Sequence, residues 1–451
     1  MVTDYRRVAE HLRGLLNNCT MDALAERFLP SDQAMSTRLS GSGQVDAASL
    51  DRRWDLLAKN LERTLGQARE ELCDPRTRAR LDRYQANIEN CIGTAELPVG
   101  LAGPLRVCGV HARGDYYVPL ATTEAALVAS CTRGAQAVSL SGGCRCAVVR
   151  RGLSRAPGFV FECLADAGRF ALWVTEHIDA LRQSAESTTR HGKLIDIRVH
   201  LEGRHVHLIC EYTTGDAAGQ NMVTLATDAL CQHLLAHCPT QPTRWFVEAN
   251  MSGDKKASAI SFIGVRGRKV VAEAVIPKQV VERRLGTDAE SMETYWRVSS
   301  LGAVSSGAMG VQGHVANVLA GMYIACGQDA ACVAESSVGI TRMEARPGQD
   351  LYVSVTLPAV VVGTVGGGTG LPSAQACLAL LGLPEADPAD ALAEIVAATA
   401  LAGELSIVAA LAAGDFTQAH RALARDRAEP ADTSEEAGTT ETADGAAQPG
   451  D

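Results

Sequence analysis

The stretch "LYVSVTLPAVVVGTVGGGTG", residues 351–370, runs an apolar segment straight into a loop with three consecutive glycines, Gly366, Gly367 and Gly368. Residues 351–362 read as a strand. Glycines at this density mark close backbone approach, or dihedrals that side chains forbid. The loop fits neither G-x-G-x-x-G nor G-x-x-x-x-G-K-[ST]. A Rossmann or P-loop reading of the stretch therefore fails. A structural turn and a ligand loop of another kind both stay open.

The neighbouring segments set the fold class. Residues 312–335, 373–382 and 388–424 read as helices. The most apolar of these, "ALAEIVAATALAGELSIVAALAAG", contains Glu394 and Glu404. A bilayer penalises such charges, so the segment reads as a buried helix and not a membrane span. Upstream, "FVFECL", "KLIDIRVHLEG" and "RHVHLICEYT" read as strands, interleaved with two helical stretches. This alternation indicates a small α+β domain inserted into a larger one. "ASAISFIGVRGRKVVAEAVIP" reads as a hairpin, its period-2 runs flanking "VRGRK". "TTEAALVASCTRGAQAVSL" reads as a helix with Thr122 or Thr123 as N-cap and Glu124 in its first turn.

The expected class is α+β. The segments are an N-terminal helical part (1–45), a large domain (46–156 and 247–405), a small domain (157–246), a C-terminal flap (406–427) and a disordered acidic tail (428–451).

The net charge of -10 includes seven acids and no base from Ala428 onward, which leaves about -3 for the rest. Without a basic surface, nucleic acid is not expected as a partner. The start lacks the apolar core of a secretory signal, so a cytoplasmic protein is expected. The fourteen cysteines are scattered without a C-x-x-C, as reduced buried thiols would be. Cys144 and Cys146 have no accompanying ligand set, and no metal is expected.

Several polar residues stand in informative places. Asp254, Lys255 and Lys256 lie in "SGDKKASA", which a solvated turn also explains. His314 and Asn317 are three apart and share a helix face. Asp329 follows an apolar helix, an unusual place for a charge without a partner. Asp216 and Asn221 flank small residues that open a helix, which suits an anion or a plain cap.

The pieces "ENCIGTAELPVGLAGPL", "PLATTEAALVAS", "GDAAGQNM", "GDKKASAISF", "IACGQDAA", "GTVGGGTGLPSAQACLALLG" and "LAGELSIVAALAAG" occur in this order. In order and spacing they resemble the hydroxymethylglutaryl-CoA reductases, in the class of eukaryotes, archaea and some bacteria, without a membrane anchor. The resemblance runs from about Asn87 to His420.

The resemblance implies a non-Rossmann, ferredoxin-like small domain that binds NADPH. Arg190 would lie beside the 2'-phosphate, with Asp216, Gly219 and Asn221 in one loop and Gly366, Gly367 and Gly368 in another. A guanidinium fork suits a phosphate. It also implies reduction of an acyl-CoA to an alcohol by two hydride transfers in a homodimer with shared sites. Lys255 would face the oxyanion, Glu124 would give a proton, and Asp329 would be a buried acid coupling the two. His420 would protonate the departing CoA thiolate. Arg155, Glu248, Asp254, Lys256, His314 and Asn317 would contact substrate.

Two positions depart from the family's pattern at the acyl carboxylate. Glu248 stands where a serine is usual, and Val298, next to Arg297, where a lysine is usual. An acid beside a substrate carboxylate is repulsive unless it is paired. Either Arg297 pairs Glu248, or the enzyme takes a different acyl thioester. A catalytically idle homologue serving as a binding subunit is a further reading. It would be expected to lose catalytic residues first, and these persist.

Overall fold

The computed structural model describes residues 44–414 apart from 62 and 265, and upstream residues 9, 10, 13, 14, 20–30, 34 and 36. Two compact units divide at Ala95. The first holds helices α1 (Met21–Arg27), α2 (Ala47–Leu61) and α3 (Gly66–Leu72). Leu50, Trp54, Leu81 and Cys91 form its core. Arg53 is buried there and donates to the carbonyls of Cys91 and Gln44, which satisfies a charge that burial alone would penalise.

The second unit, residues 96–451, is built on a ten-stranded sheet. Its strands are β1 (Val99–Gly109), β2 (Arg113–Ala121), β3 (Cys144–Arg155), β4 (Gly158–Val160), β5 (Leu194–Glu202), β6 (His205–Tyr212), β7 (Arg244–Phe246), β8 (Gly267–Ile276), β9 (Ile340–Ala345) and β10 (Leu351–Val360). The main path runs β7-β4-β6-β3-β8-β10-β9, with β1 joined to β3 and β5 to β6.

Strand β3 belongs to both halves of the sheet. Residues 145–152 pair with β8, and residues 153–155 pair with β6. Beyond that switch, β4 to β7 carry helices α5 (Leu164–Glu176), α6 (Ile178–Glu186) and α7 (Gln220–His237). The succession is β-α-α-β-β-α-β, a ferredoxin-like order with a second helix in the first crossover. Its core is Leu153, Phe159, Phe161, Phe170, Leu208 and their neighbours. Phe159 and Phe161 both pack on Phe170, with ring centroids 4.8 and 4.9 Å away.

The large half is centred on α11 (Pro388–Ala412), which is buried on every side. Around it lie α4 (Leu127–Leu140), α8 (Ala289–Ser306), α9 (Val315–Ala325) and α10 (Pro372–Leu381). Gly134 makes one crossing possible, since a Cβ there would sit 1.8 Å from the carbonyl oxygen of Ala402.

The acids inside this apolar helix are each engaged by donors of the chain. Glu394 accepts the N–H groups of Val110, His111 and Ala112 in the β1–β2 turn. Glu404 accepts the N–H groups of Gly313 and His314 and the hydroxyl of Thr341, each at 2.7 Å. Asp390 pairs with Arg268 and Arg151. Helix α11 is long and apolar enough to cross a membrane, but it is the core of the unit.

Two sequence expectations fail locally. Residues 257–277 hold no hairpin: Ile260–Ile263 form one helical turn and only β8 is a strand. A short apolar alternation fits either form, and periodicity does not separate them. The helix expected from Thr122 begins at Leu127, because Ala126 is left-handed with φ 72°. The hydroxyl of Thr122 accepts the N–H of Glu124, so Glu124 lies in a turn ahead of the helix.

Candidate active site

The glycine loop lies directly against the turn that carries Asp329. A Cβ on Gly327 would sit 2.3 Å from the carbonyl oxygen of Gly368, and one on Gly368 would sit 2.5 Å from that of Gly327. Gln328 bridges the two segments: it accepts the N–H of Gly363 at 2.8 Å and donates to its carbonyl at 3.0 Å. Only glycines allow this approach.

On the other side the loop meets the small half. Val365 bridges Ala217, and Thr364 N–H donates to the carbonyl of Asp216 at 2.9 Å. Arg268 holds the junction from below, donating to the carbonyls of Val362 and Gly215. Gly219 caps α7 with φ 83° and no side-chain cap bond, so the helix presents free N–H groups.

Gly366 and Gly367 have φ 77° and 56°, are exposed, and have nothing within 4 Å of a Cβ position. The result is an open cradle of backbone beside a helix N-terminus. Asn221 and Arg190 are exposed, and Arg190 has no ion-pair partner among the described residues.

Lys255 stands at the edge of this cradle. Lys255 Nζ is 2.8 Å from Asp329 Oδ2, with the two side chains 41% and 46% exposed. The hydrogen bond that Lys255 donates to Asp329 raises its pKa above the ordinary value, against partial burial. Burial opposes the charge on Asp329, but Lys255 and the N–H of Ala331 outweigh it and hold its pKa below the usual range. Asp329 is thus half exposed, not the buried acid expected. Lys255 itself has φ 56°, a left-handed conformation that costs about 1–3 kcal/mol for a residue with a Cβ.

The turn bearing Lys255 rests on a buried charge network. Arg155 Nη1 is 3.0 Å from Asp254 and 3.4 Å from Glu248. Glu248 also accepts the N–H groups of Asn250 and Ala156 and the hydroxyl of Ser252. Glu248 is therefore paired, but not by Arg297. Arg297 binds Glu293 one helical turn away on α8, at 2.5 Å. Val298 is 67% exposed on the same helix. Lys256 is exposed and folds back onto the carbonyl of Asp254 at 2.7 Å.

Glu124 belongs to a second cluster. Its Oε2 accepts from Asn317 Nδ2 at 2.7 Å, and the described residues give it no contact with Asp329. Both line a cavity of about 620 Å³ with His314, Leu127, Tyr295 and Leu411. His314 is the N-cap residue of α9, and its ring rests on Gly403, where a Cβ would come within 2.8 Å. Glu404 stays charged despite full burial, because His314 and two backbone N–H groups lower its pKa.

Sequence reasoning missed Ser130 and Arg133, which line the same cavity from α4. Arg133 donates to the hydroxyl and carbonyl oxygens of Ser406. An arginine one turn along an otherwise apolar helix face was the available signal. Cys144 and Cys146 sulfurs are 3.4 Å apart and buried, and they join no group of three candidate ligands among the described residues. His420 lies outside the described residues.

Residues 49–425 match the family model described as hydroxymethylglutaryl-coenzyme A reductase. The chain is 46% identical over 348 residues to the 3-hydroxy-3-methylglutaryl-coenzyme A reductase of Aeropyrum pernix, covering 76% of this chain and 82% of that one. It is 40% identical over 405 residues to the Haloferax volcanii protein of that name, covering 84% and 100%. In fold it is similar to the NADPH-bound class II reductase of Streptococcus pneumoniae, with TM-score 0.58 and 20% identity over 80% of this chain and 86% of that one. With the family model spanning most of its length and two relatives covered to 82% and 100% of theirs, this chain belongs to the hydroxymethylglutaryl-CoA reductase family.

Proposed function

We propose that the chain reduces hydroxymethylglutaryl-CoA to mevalonate and free CoA, with NADPH as the reductant. The observation that carries this reading is the Lys255–Asp329 ion pair, set in backbone contact with an open glycine cradle through Gly327 and Gln328.

The residues present fit a dinucleotide. Gly366 and Gly367 leave room that a Cβ would fill, and α7 offers unbonded N–H groups to a phosphate. The guanidinium of Arg190, without an ion-pair partner among the described residues, suits a 2'-phosphate, which favours NADPH over NADH. When bound, the cofactor supplies one hydride for each of two reductions.

The chain's own residues do the rest. The Lys255 ammonium faces the carbonyl oxygen that gains charge, and Asp329 keeps that ammonium protonated and aimed. Glu124, fixed by Asn317, delivers a proton as the carbonyl becomes a hydroxyl. The first reduction yields a hemithioacetal, which separates into an aldehyde and CoA thiolate. His420, on the C-terminal segment, protonates the thiolate. The aldehyde then takes the second hydride and a proton.

Glu248 is spent on four donors of this chain, which leaves Lys256 as the exposed cation for the acyl carboxylate. Because Glu124 and Lys255 share no contact among the described residues of one chain, we assign the complete site to a homodimer. The exposed stripe of Val298, Leu301 and Val304 on α8 supports a covered face of this kind.

The test mixes the chain with NADPH and hydroxymethylglutaryl-CoA and follows absorbance loss together with free thiol. Two NADPH consumed per thiol released supports the reading. NADPH binding without turnover refutes it, and redirects the search to thioesters whose acyl group lacks the carboxylate.

A further inference from the structure

Lys255 is gripped at both ends by one short segment. Its ammonium binds Asp329, and its main-chain N–H donates to Glu335 Oε1 at 3.1 Å. Asp329 caps the 3-10 turn Ala330–Cys332, and Glu335 lies in the next helical turn, Val333–Ser336.

The second grip is built deep in the unit. Glu335 is fully buried and Arg266 nearly so. Arg266 Nε lies 2.6 Å from Glu335 Oε2, and its Nη2 lies 2.5 Å from Asp254 Oδ1. Its Nη1 donates to the carbonyl of Ser154 at the end of β3. One guanidinium thus ties β3, the Lys255 turn and the Asp329 segment together.

The Lys255 turn needs such a tie. Asn250, Gly253 and Lys255 all have positive φ, at 64°, 75° and 56°. Two of these are side-chain-bearing residues in a region they rarely occupy, and such strain persists only where the surroundings over-determine it. A charge-assisted bond to the N–H of Lys255 does this directly. Stability alone does not account for the buried charges, since an apolar pair of similar volume often serves as well.

We propose that Glu335, held by Arg266, is the positioning residue that fixes the left-handed backbone of Lys255 and so aims its ammonium. This rests on the reading that Lys255 faces the reacting carbonyl. Asp329 sets the charge state and the far end of the side chain, and Glu335 sets where the side chain starts.

Two double variants of the full chain separate positioning from plain support: Arg266→Met/Glu335→Gln and Arg266→Met/Glu335→Leu. Both delete the buried charges, but only the glutamine keeps an oxygen for the N–H of Lys255. Both are expected to melt at similar temperatures. The leucine variant shows a kcat about 100-fold below that of the glutamine variant, the scale of a small misplacement of a reacting group. KM for the acyl-CoA and Kd for NADPH stay within about threefold in both, as for a group acting on the transition state. Amide exchange in the peptide containing residues 253–256 quickens in the leucine variant only.

Equal kcat and equal exchange in the two variants overturn the proposal. Should either variant fail to fold, Glu335→Asp retracts the acceptor by one methylene and keeps the charge, and wild-type kcat and exchange in it overturn the proposal as well. A wild-type chain that leaves hydroxymethylglutaryl-CoA untouched sinks the functional reading alone, and the exchange measurement still decides the role of Glu335.

Discussion

Replacing Asp329 with asparagine separates the two things its carboxylate does. Lys255 and Asp329 sit 2.8 Å apart, a Coulomb attraction of about 1.5 kcal/mol at the dielectric constant of water. Both side chains are more than four-tenths exposed, so the net contribution to stability is within about 1 kcal/mol. Asparagine keeps one oxygen, for the ammonium or for the N–H of Ala331, and loses the charge and the second acceptor. The melting temperature is therefore expected to fall by less than about 3 °C.

Catalysis should suffer far more, by about 100-fold in kcat, because an electrostatic group aimed at developing charge is worth several kcal/mol. The pH profile carries the sharper test. Asp329 is the main cause of the raised Lys255 pKa, so its loss lowers that pKa toward the ordinary lysine value. Lys255 contributes while protonated, so activity falls as pH rises through its pKa. The alkaline limb of kcat/KM must therefore move to lower pH in the variant. An unmoved limb with kcat within threefold of wild type, a change of under about 1 kcal/mol, refutes the pairing as a catalytic device.

Lys255→Ala is expected to abolish reduction of both the thioester and the free aldehyde while NADPH still quenches protein fluorescence, and near-normal turnover of either substrate refutes its assignment. Arg190→Gln should raise KM for NADPH about tenfold and leave KM for NADH unchanged, the signature of a lost phosphate contact. Glu404→Leu strands two N–H groups and a hydroxyl in the core, and chemical denaturation should show a loss of about 3–5 kcal/mol. The depressed Glu404 pKa places its contribution above the unfolded carboxyl value, and this is lost as pH falls through the folded one. In single turnover, His420→Gln should slow thiol release and spare aldehyde reduction.

Much of the fold was legible because local chemistry agreed with it. Helix α11 reads as buried from composition alone, and β10 with its glycine loop stands out by contrast of texture. The small half declared itself through alternating strands and helices. What stayed hidden depends on contacts distant in sequence. Nothing local says that Gln328 bonds Gly363, 35 residues on, or that Glu335 reaches back 80 residues to the N–H of Lys255.

Glu248 shows the same limit from the other side. Read in sequence it is a charge facing substrate, but in space it is a bracket for Ala156, Asn250 and Ser252. The misplacement of Glu124 has a local cause instead. The hydroxyl of Thr122 bonds the N–H of Glu124 and competes with the helix, a common habit of threonine.

Burial sorts the acids of this chain into two trades. Glu335, Asp390, Glu394 and Glu404 are almost entirely buried, and each is engaged by the chain's own donors. An acid in that state has its oxygens committed to the chain, so its work is to hold a turn in place. Glu124 and Asp329 are exposed at one side and carry few protein bonds, which leaves lone pairs for a substrate. The first group places the second: Glu335 fixes the residue that Asp329 pairs, and Glu404 fixes the N-terminus of the helix whose Asn317 holds Glu124. Each exposed acid of the site is thus one step from a buried one. A substitution in the buried set should therefore disturb catalysis through geometry, with the pH dependence of the exposed set unchanged.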